Sequence, residues 1–280
     1  MPCSSASPGD ARARRPGAAR ARLSRVALVC LMSLGSLVSA CGGAKTAPTP
    51  IVDPPAPVPP TPVPPPPPPA VGVTRILAFG DSMTQGTTSP ALPTLSLTAG
   101  LPQSYPFKLQ TLMTARYTAQ TITVLNDGLA GEHVVGSAAL ARFSHDLSDS
   151  KPDLILLMEG ANDLNDTRDM VNAAITSIVS ALEEMVKEAG RRRIPIMVGT
   201  LPPQRAPRSA SPFIGRFNDA VRVMAAKKGG ILVEVNARVP ETLIGQDGLH
   251  PTEDGYQRIA EIYMDAIVSN YETSAAAAVR

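Results

Sequence analysis

Apolar and polar positions along residues 74–272 follow two periods in alternation. Short, nearly unbroken apolar runs fall at Arg75–Phe79, Thr121–Asn126, Asp153–Glu159, Arg193–Thr200 and Ile231–Val235, as in strands buried on both faces. Between them, apolar residues recur at steps of three and four. Val171, Ile175, Ile178, Leu182 and Met185 mark one face of a long helix. Phe213, Phe217, Val221 and Met224 mark another, with Ser211 as N-cap, Pro212 in its first turn and Gly229-Gly230 as its stop. A last helix carries Tyr256, Ile259, Tyr263 and Ile267 after Thr252. Strand and helix in strict alternation predict a parallel sheet covered on both faces. The expectation is one three-layer α/β/α domain with a five-stranded parallel sheet over residues 74–272, then a frayed tail at 273–280.

The N-terminal part obeys neither period. Residues 1–25 are rich in arginine, and Val26 to Ala40 is a short apolar stretch ending in small residues. Charged, apolar and small-residue segments in that order predict a secretory signal peptide over residues 1–40. The apolar part is too short to span a bilayer comfortably. Val38-Ser39-Ala40-Cys41-Gly42 resembles a bacterial lipobox, whose cysteine becomes the lipidated first residue of the mature chain. That resemblance implies a membrane anchor at Cys41 and a cell-envelope lipoprotein, on the periplasmic or outer-membrane face. Several acyl chains on one residue hold a membrane durably, where a single chain does not. About half of the 29 prolines lie between Pro48 and Pro69. Residues 41–73 therefore read as a lipidated cysteine and a stiff, extended linker of polyproline II character.

Charge and cysteines narrow the function classes. The formal net charge of +2 conceals six leader arginines opposed only by Asp10; residues 41–280 carry −3. A mildly acidic mature chain gives nucleic-acid binding no electrostatic support. The 3 cysteines, Cys3, Cys30 and Cys41, all precede the globular part. That part must then be held by core packing, without disulfides or thiolate metal sites.

The chemistry-bearing residues fall where strands end. Gly80-Asp81-Ser82 follows the first apolar run, Gly128 and Gly131 the second, and Glu159-Gly160-Ala161-Asn162-Asp163 the third. Asp247-Gly248-Leu249-His250 lies in the connection after the fifth, in a chain with 3 histidines. Carboxyl ends of parallel strands form one rim, so these groups can converge. A serine hydroxyl is a poor nucleophile until a base takes its proton, and imidazole does so near neutral pH. An aspartate three residues before the histidine reaches its N–H within one turn and fixes its tautomer. Attack on a carbonyl creates an oxyanion, which fixed N–H donors stabilise.

These blocks together resemble the SGNH (GDSL-type) serine hydrolases over about residues 74–270. The resemblance implies a flavodoxin-like fold, with Ser82 as nucleophile, His250 as base and Asp247 orienting it. It also implies an oxyanion hole made of the Ser82 N–H, the Gly131 N–H and the Asn162 amide, with no cofactor and no metal. Met83 stands where the commonest members have leucine, and Gly128 rivals Gly131 as donor. The implied reaction is hydrolysis of carboxylic esters through an acyl-serine.

Blander readings stand beside these. Asp247 and Gly248 suit a turn, Ser82 suits an N-cap, and Asp163 suits a cap of the segment after it. His133 and His145 are competing bases; His145 is beside Asp146, but adjacent side chains on a helix point apart. The other serine-hydrolase signature, G-x-S-x-G, fails at Thr84. Thr87 to Ser104 is a long uncharged stretch with Leu92, Leu95, Leu97 and Leu101, either a wall for an acyl pocket or a packed insertion. Arg205 and Arg208 either meet an anionic substrate or are solvated. With no tryptophan and 4% aromatics, sugar-gripping faces are scarce. That favours small acyl or lysophospholipid-like esters. A carbohydrate or peptidoglycan O-acetyl esterase is the alternative, and a non-catalytic envelope-binding module a third reading.

Overall fold

Five parallel strands form the central layer of the computed structural model, which describes residues 67–89, 101–167 and 170–273. The leader, Cys41 and nearly all of the proline-rich segment lie outside the described residues, as do residues 90–100 with Leu92, Leu95 and Leu97. The sheet contains β2 (Arg75–Gly80), β3 (Thr123–Gly128), β4 (Leu154–Met158), β5 (Ile196–Gly199) and β6 (Ile231–Val233), in the order β3-β2-β4-β5-β6. Each overlaps an apolar run of the sequence. β4, flanked on both sides, is buried along its whole length, whereas edge strand β3 is half-buried throughout.

A second, two-stranded ladder joins β1 (Ala70–Val71) to β7 (Glu272–Thr273). Composition assigns Ala70–Val73 to the linker and Thr273 to the fraying tail, but packing overrides composition here. Val71 and Val73 are buried, and the Gln120 amide grips both backbone groups of Val71 at 2.7 and 2.9 Å.

The helices are α1 (Ser82–Gln85), α2 (Tyr105–Arg116), α3 (Ala138–Ser150), α4 (Ala161–Asp166), α5 (Val171–Arg191), α6 (Ile214–Lys228), α7 (Val235–Arg238) and α8 (Glu253–Tyr271). In α5 the predicted stripe is the buried one, from Ile175 to Met185. Thr252 caps α8, its hydroxyl accepting the Gly255 N–H at 3.2 Å. Ser211, by contrast, does not cap α6. Ser211–Phe213 forms a separate 3-10 turn, and the Ser211 hydroxyl donates to the Gln204 carbonyl at 2.9 Å. The core is one continuous cluster. Within it Phe79 meets Phe143 edge-on at 5.0 Å, and Tyr105 of α2 stacks on Tyr263 of α8 at 5.1 Å. Full burial of each such side chain contributes roughly 1.5–3 kcal/mol, so packing suffices without a crosslink.

The strand order positions the site. The chain runs from β2 outward to β3, then crosses back to β4 on the other side. Connections leaving β2 and β4 diverge there, opening a crevice at the carboxyl ends. No helix among the described residues is long and apolar enough to cross a membrane.

Candidate active site

β2 ends at Gly80, and the chain turns at once into α1. Asp81, rather than Ser82, is the N-cap: its Oδ1 accepts the Met83 N–H at 2.9 Å. Ser82 thus becomes the first helical residue, and its Oγ lies 2.8 Å from His250 Nε2. On the far side of the ring, His250 Nδ1 lies 2.5 Å from Asp247 Oδ2. An ionised carboxylate can only accept, so Nδ1 carries the ring proton, Nε2 offers its lone pair, and Ser82 Oγ donates. The three residues come from the first connection and the last, 168 positions apart for Ser82 and His250.

Asp247 does more than shape a turn. Its Oδ1 accepts the N–H groups of Leu249 and His250, both at 3.0 Å. Its Oδ2 takes Arg208 Nη2 at 3.2 Å besides the imidazole. Burial pushes the Asp247 carboxyl up, but the Leu249 and His250 N–H groups and the imidazole outweigh it and hold the group below its ordinary value. Arg208 Nε also donates to the Asp247 carbonyl at 2.7 Å, and Arg205 Nη2 to the Ile244 and Gly245 carbonyls at 3.0 and 2.9 Å. Neither arginine is simply solvated: these donors hold the histidine loop. The sequence cannot show this pairing, because the two loops meet only through the fold.

The two rival glycines have different surroundings. The Gly128 N–H donates to Asn126 Oδ1 at 3.1 Å, and a Cβ there would lie 2.0 Å from the Gln85 backbone nitrogen. Gly128 is required for the close approach of β3 to α1. Gly131 has φ +81° with open space around it, a conformation that favours glycine, and its N–H has no partner among the described residues. Asn162, on α4, gives one amide hydrogen to the Glu132 carbonyl at 2.7 Å, which leaves the second. Asp163 does not cap the following segment. Its carboxylate reaches across to the N–H groups of Val134 and Val135 at 2.8 and 3.1 Å.

The other two histidines are engaged elsewhere. His133 Nε2 pairs with Asp166 at 2.7 Å, the main reason its pKa is raised. His145, exposed on α3, does reach its neighbour Asp146, at 3.2 Å, despite the divergence expected of adjacent helical residues, and also lies 3.6 Å from Asp149.

Two buried carboxyls back the nucleophile turn, at the ends of neighbouring β2 and β4. Burial, partly offset by the Met83 and Ala161 N–H groups, pushes Asp81 up to about 7. Burial and the nearby Asp81 charge push Glu159 well above its usual range. Asp247, 2.5 Å from the imidazole, is the carboxylate placed to stabilise an imidazolium. Beneath Asp81 and Glu159, Arg142 lies 3.8 Å over the Phe79 ring and donates to Asp127 Oδ1 at 2.8 Å and Glu132 Oε1 at 2.9 Å. Arg142 has no motif that would reveal its place from sequence, and Glu159, though it opens the third block, shows nothing there of its burial beside Asp81. Among the described residues, no group of three or more His, Cys, Asp or Glu residues is arranged to hold a metal ion.

Residues 78–258 match the model of the GDSL-like Lipase/Acylhydrolase family. An arylesterase of Vibrio mimicus is 26% identical over 196 residues, covering 70% of this chain and 89% of the relative. Among solved structures, an acetylxylan esterase from Geobacillus stearothermophilus is similar, with a TM-score of 0.57 at 23% identity, over 70% of this chain and 94% of its own. An alpha/beta hydrolase enzyme from the metagenome of Lake Arreo, Spain, gives 0.57 at 23% identity, over 71% and 96%. These structural likenesses speak for the fold alone. The family match, however, covers the range from the nucleophile turn past His250, and on it the chain belongs to the GDSL-like lipase/acylhydrolase family and is a carboxylic ester hydrolase.

Proposed function

We propose that this hydrolase cleaves small acyl or lysophospholipid-like esters through an acyl-enzyme on Ser82. The observation that carries the reading is the unbroken chain of hydrogen bonds from Ser82 through His250 to Asp247, at 2.8 and 2.5 Å. His250 Nε2 takes the Ser82 proton as Oγ attacks the ester carbonyl, and Asp247 stabilises the resulting imidazolium. The oxyanion is met by the N–H groups of Ser82 and Gly131 and by the second amide hydrogen of Asn162. Collapse expels the alcohol, which takes the proton from His250. Water then repeats the sequence and releases the acid. A fluorophosphonate probe should attach to Ser82 in a single stoichiometric adduct, mapped by peptide mass spectrometry. An unreacted Ser82 in folded protein would overturn the reading in favour of a non-catalytic envelope module.

Substrate class rests on composition and on the relatives. The Vibrio mimicus relative is an arylesterase, and p-nitrophenyl esters of graded acyl length are the matching probes. A carbohydrate O-acetyl esterase is the second reading, favoured by the similarity to an acetylxylan esterase. A higher kcat/KM on acetylated glycans than on simple aryl acetates would decide for it.

Asn162→Ala should lower kcat by roughly 10²–10³ while KM stays nearly constant, as for loss of one oxyanion donor. A folded variant with unchanged kcat would make Asn162 only the tether of Glu132.

The envelope location rests on the leader and on Val38-Ser39-Ala40-Cys41-Gly42. Residues 1–40 act as signal peptide, lipidated Cys41 anchors the mature chain in the membrane, the proline-rich segment spaces the domain from it, and catalysis belongs to residues 74–272. Cys41→Ser should abolish the acyl-modified N-terminus seen by intact-mass measurement and release the enzyme from the membrane fraction. A wild-type mature chain without acyl groups would end this reading.

A further inference from the structure

We propose that Asp163 is a positioning residue that sets the oxyanion site by clasping the loop after β3 to α4. The inference rests on the esterase reading above. The loop must place the Gly131 N–H, yet both Gly131 and Gly136 have positive φ, +81° and +116°, and glycines restrict a chain least. Something outside the loop has to hold it. Three successive backbone anchors from α4 follow Gly131, beside the Arg142 side chain that α3 sends to the Glu132 carboxylate at 2.9 Å. Asn162 Nδ2 donates to the Glu132 carbonyl at 2.7 Å, and the Asp163 carboxylate accepts Val134 N–H at 2.8 Å and Val135 N–H at 3.1 Å. A further rung, His133 to Asp166 at 2.7 Å, lies at the exposed edge.

The Asp163 rung is the strong one. Hydrogen bonds to an ionised acceptor are about twice as strong as neutral ones, and Val134, which it holds, is fully buried. A backbone N–H buried without a partner is costly, so the loop cannot shift off the carboxylate freely. The same clasp holds Asn162 in register, because its amide is tied to Glu132, two residues before Val134. Asp163 touches no reacting atom; it makes the Gly131 and Asn162 donors one rigid unit.

Asp163→Ala and the isosteric Asp163→Asn test this, with rates normalised to active sites titrated by the fluorophosphonate. An amide can accept through one atom only, so Asp163→Asn keeps at most part of the clasp. The expected result is a fall in kcat of about 10- to 100-fold for Asp163→Ala and a smaller one for Asp163→Asn, consistent with the cost of ångström-scale misplacement. KM should stay within about threefold, since the ground-state ester does not use these donors. Combined with Asn162→Ala, Asp163→Ala should cost much less than the product of the single effects, because both act on one oxyanion.

Wild-type kcat in either folded variant would overturn the proposal. So would a fully multiplicative double variant, which would make Asp163 merely structural. If wild-type Ser82 takes no probe, the esterase reading fails and this one with it; if Ser82 is labelled and Asp163 is silent, only the clasp is wrong.

Discussion

Ser82→Ala is expected to lower kcat by about 10⁶, the scale seen when a serine hydrolase loses its nucleophile. The size follows from what remains. His250 and Asp247 keep their contact at 2.5 Å, but no hydroxyl stands at Nε2, and the pair can only act on water. The proposed oxyanion donors survive and should leave a residual acceleration of about 10³–10⁴ over water. Stability should scarcely change, since the Ser82 hydroxyl is bonded to His250 Nε2 and not to the core, and the N-cap of α1 is Asp81. The measurement is hydrolysis of a p-nitrophenyl ester by wild-type and variant enzyme, alongside thermal unfolding. Activity within about tenfold of wild type would mean that another group carries the acyl transfer.

The second large effect is at Asp247, where the functional and the bland reading diverge most. A residue that only shapes a turn tolerates Asp→Asn, because asparagine suits turns equally well. Here every contact of the carboxylate is with a donor: Leu249 and His250 N–H on one oxygen, His250 Nδ1 and Arg208 on the other. An asparagine amide must turn its NH₂ towards one of those pairs. Facing His250, it favours the wrong imidazole tautomer; facing the backbone, it opposes two N–H groups. The same replacement in trypsin-type proteases costs about 10⁴ in kcat with the geometry intact, and at least about 10²-fold is expected here.

The pH profile supplies the sign. Asp247 is held below the ordinary carboxylate range, so it stays ionised while the acid limb of kcat/KM reports protonation of His250. A neighbouring carboxylate favours imidazolium, and its neutralisation disfavours it. The limb should therefore move to lower pH in Asp247→Asn. A variant with wild-type kcat and an unmoved limb would leave Ser82 and His250 acting as a dyad.

The periodicity of apolar residues by itself determined the α/β alternation, because a strand buried on both faces has to be written as an unbroken apolar run. β4 shows this best: its run Leu154–Met158 is buried throughout. Placing Gly80-Asp81-Ser82 and Asn162 at strand ends was legible for the same reason: a motif at the end of a run is a motif on the rim. Asp247–His250 lies well past the end of β6, in the connection that leads to α8. Helices α2 and α3 were harder to read, since their buried faces consist of just Tyr105, Leu109 and Met113, or Ala139, Phe143 and Leu147, beside Pro106 or small residues. Residues 70–73 looked like linker until Gln120 and β7 claimed them.

Only the tertiary structure gives chemically similar groups different surroundings. Gly128 and Gly131 are equivalent as letters, but one N–H is used by Asn126 and one is not. Arg208 became a holder of Asp247, and Asp163 a clasp on Val134 and Val135, through contacts spanning 39 and about 29 positions. Local propensity carries no record of such pairs. A hydrogen bond between loops depends on where two strands deliver their ends, and that is settled by the order of the sheet.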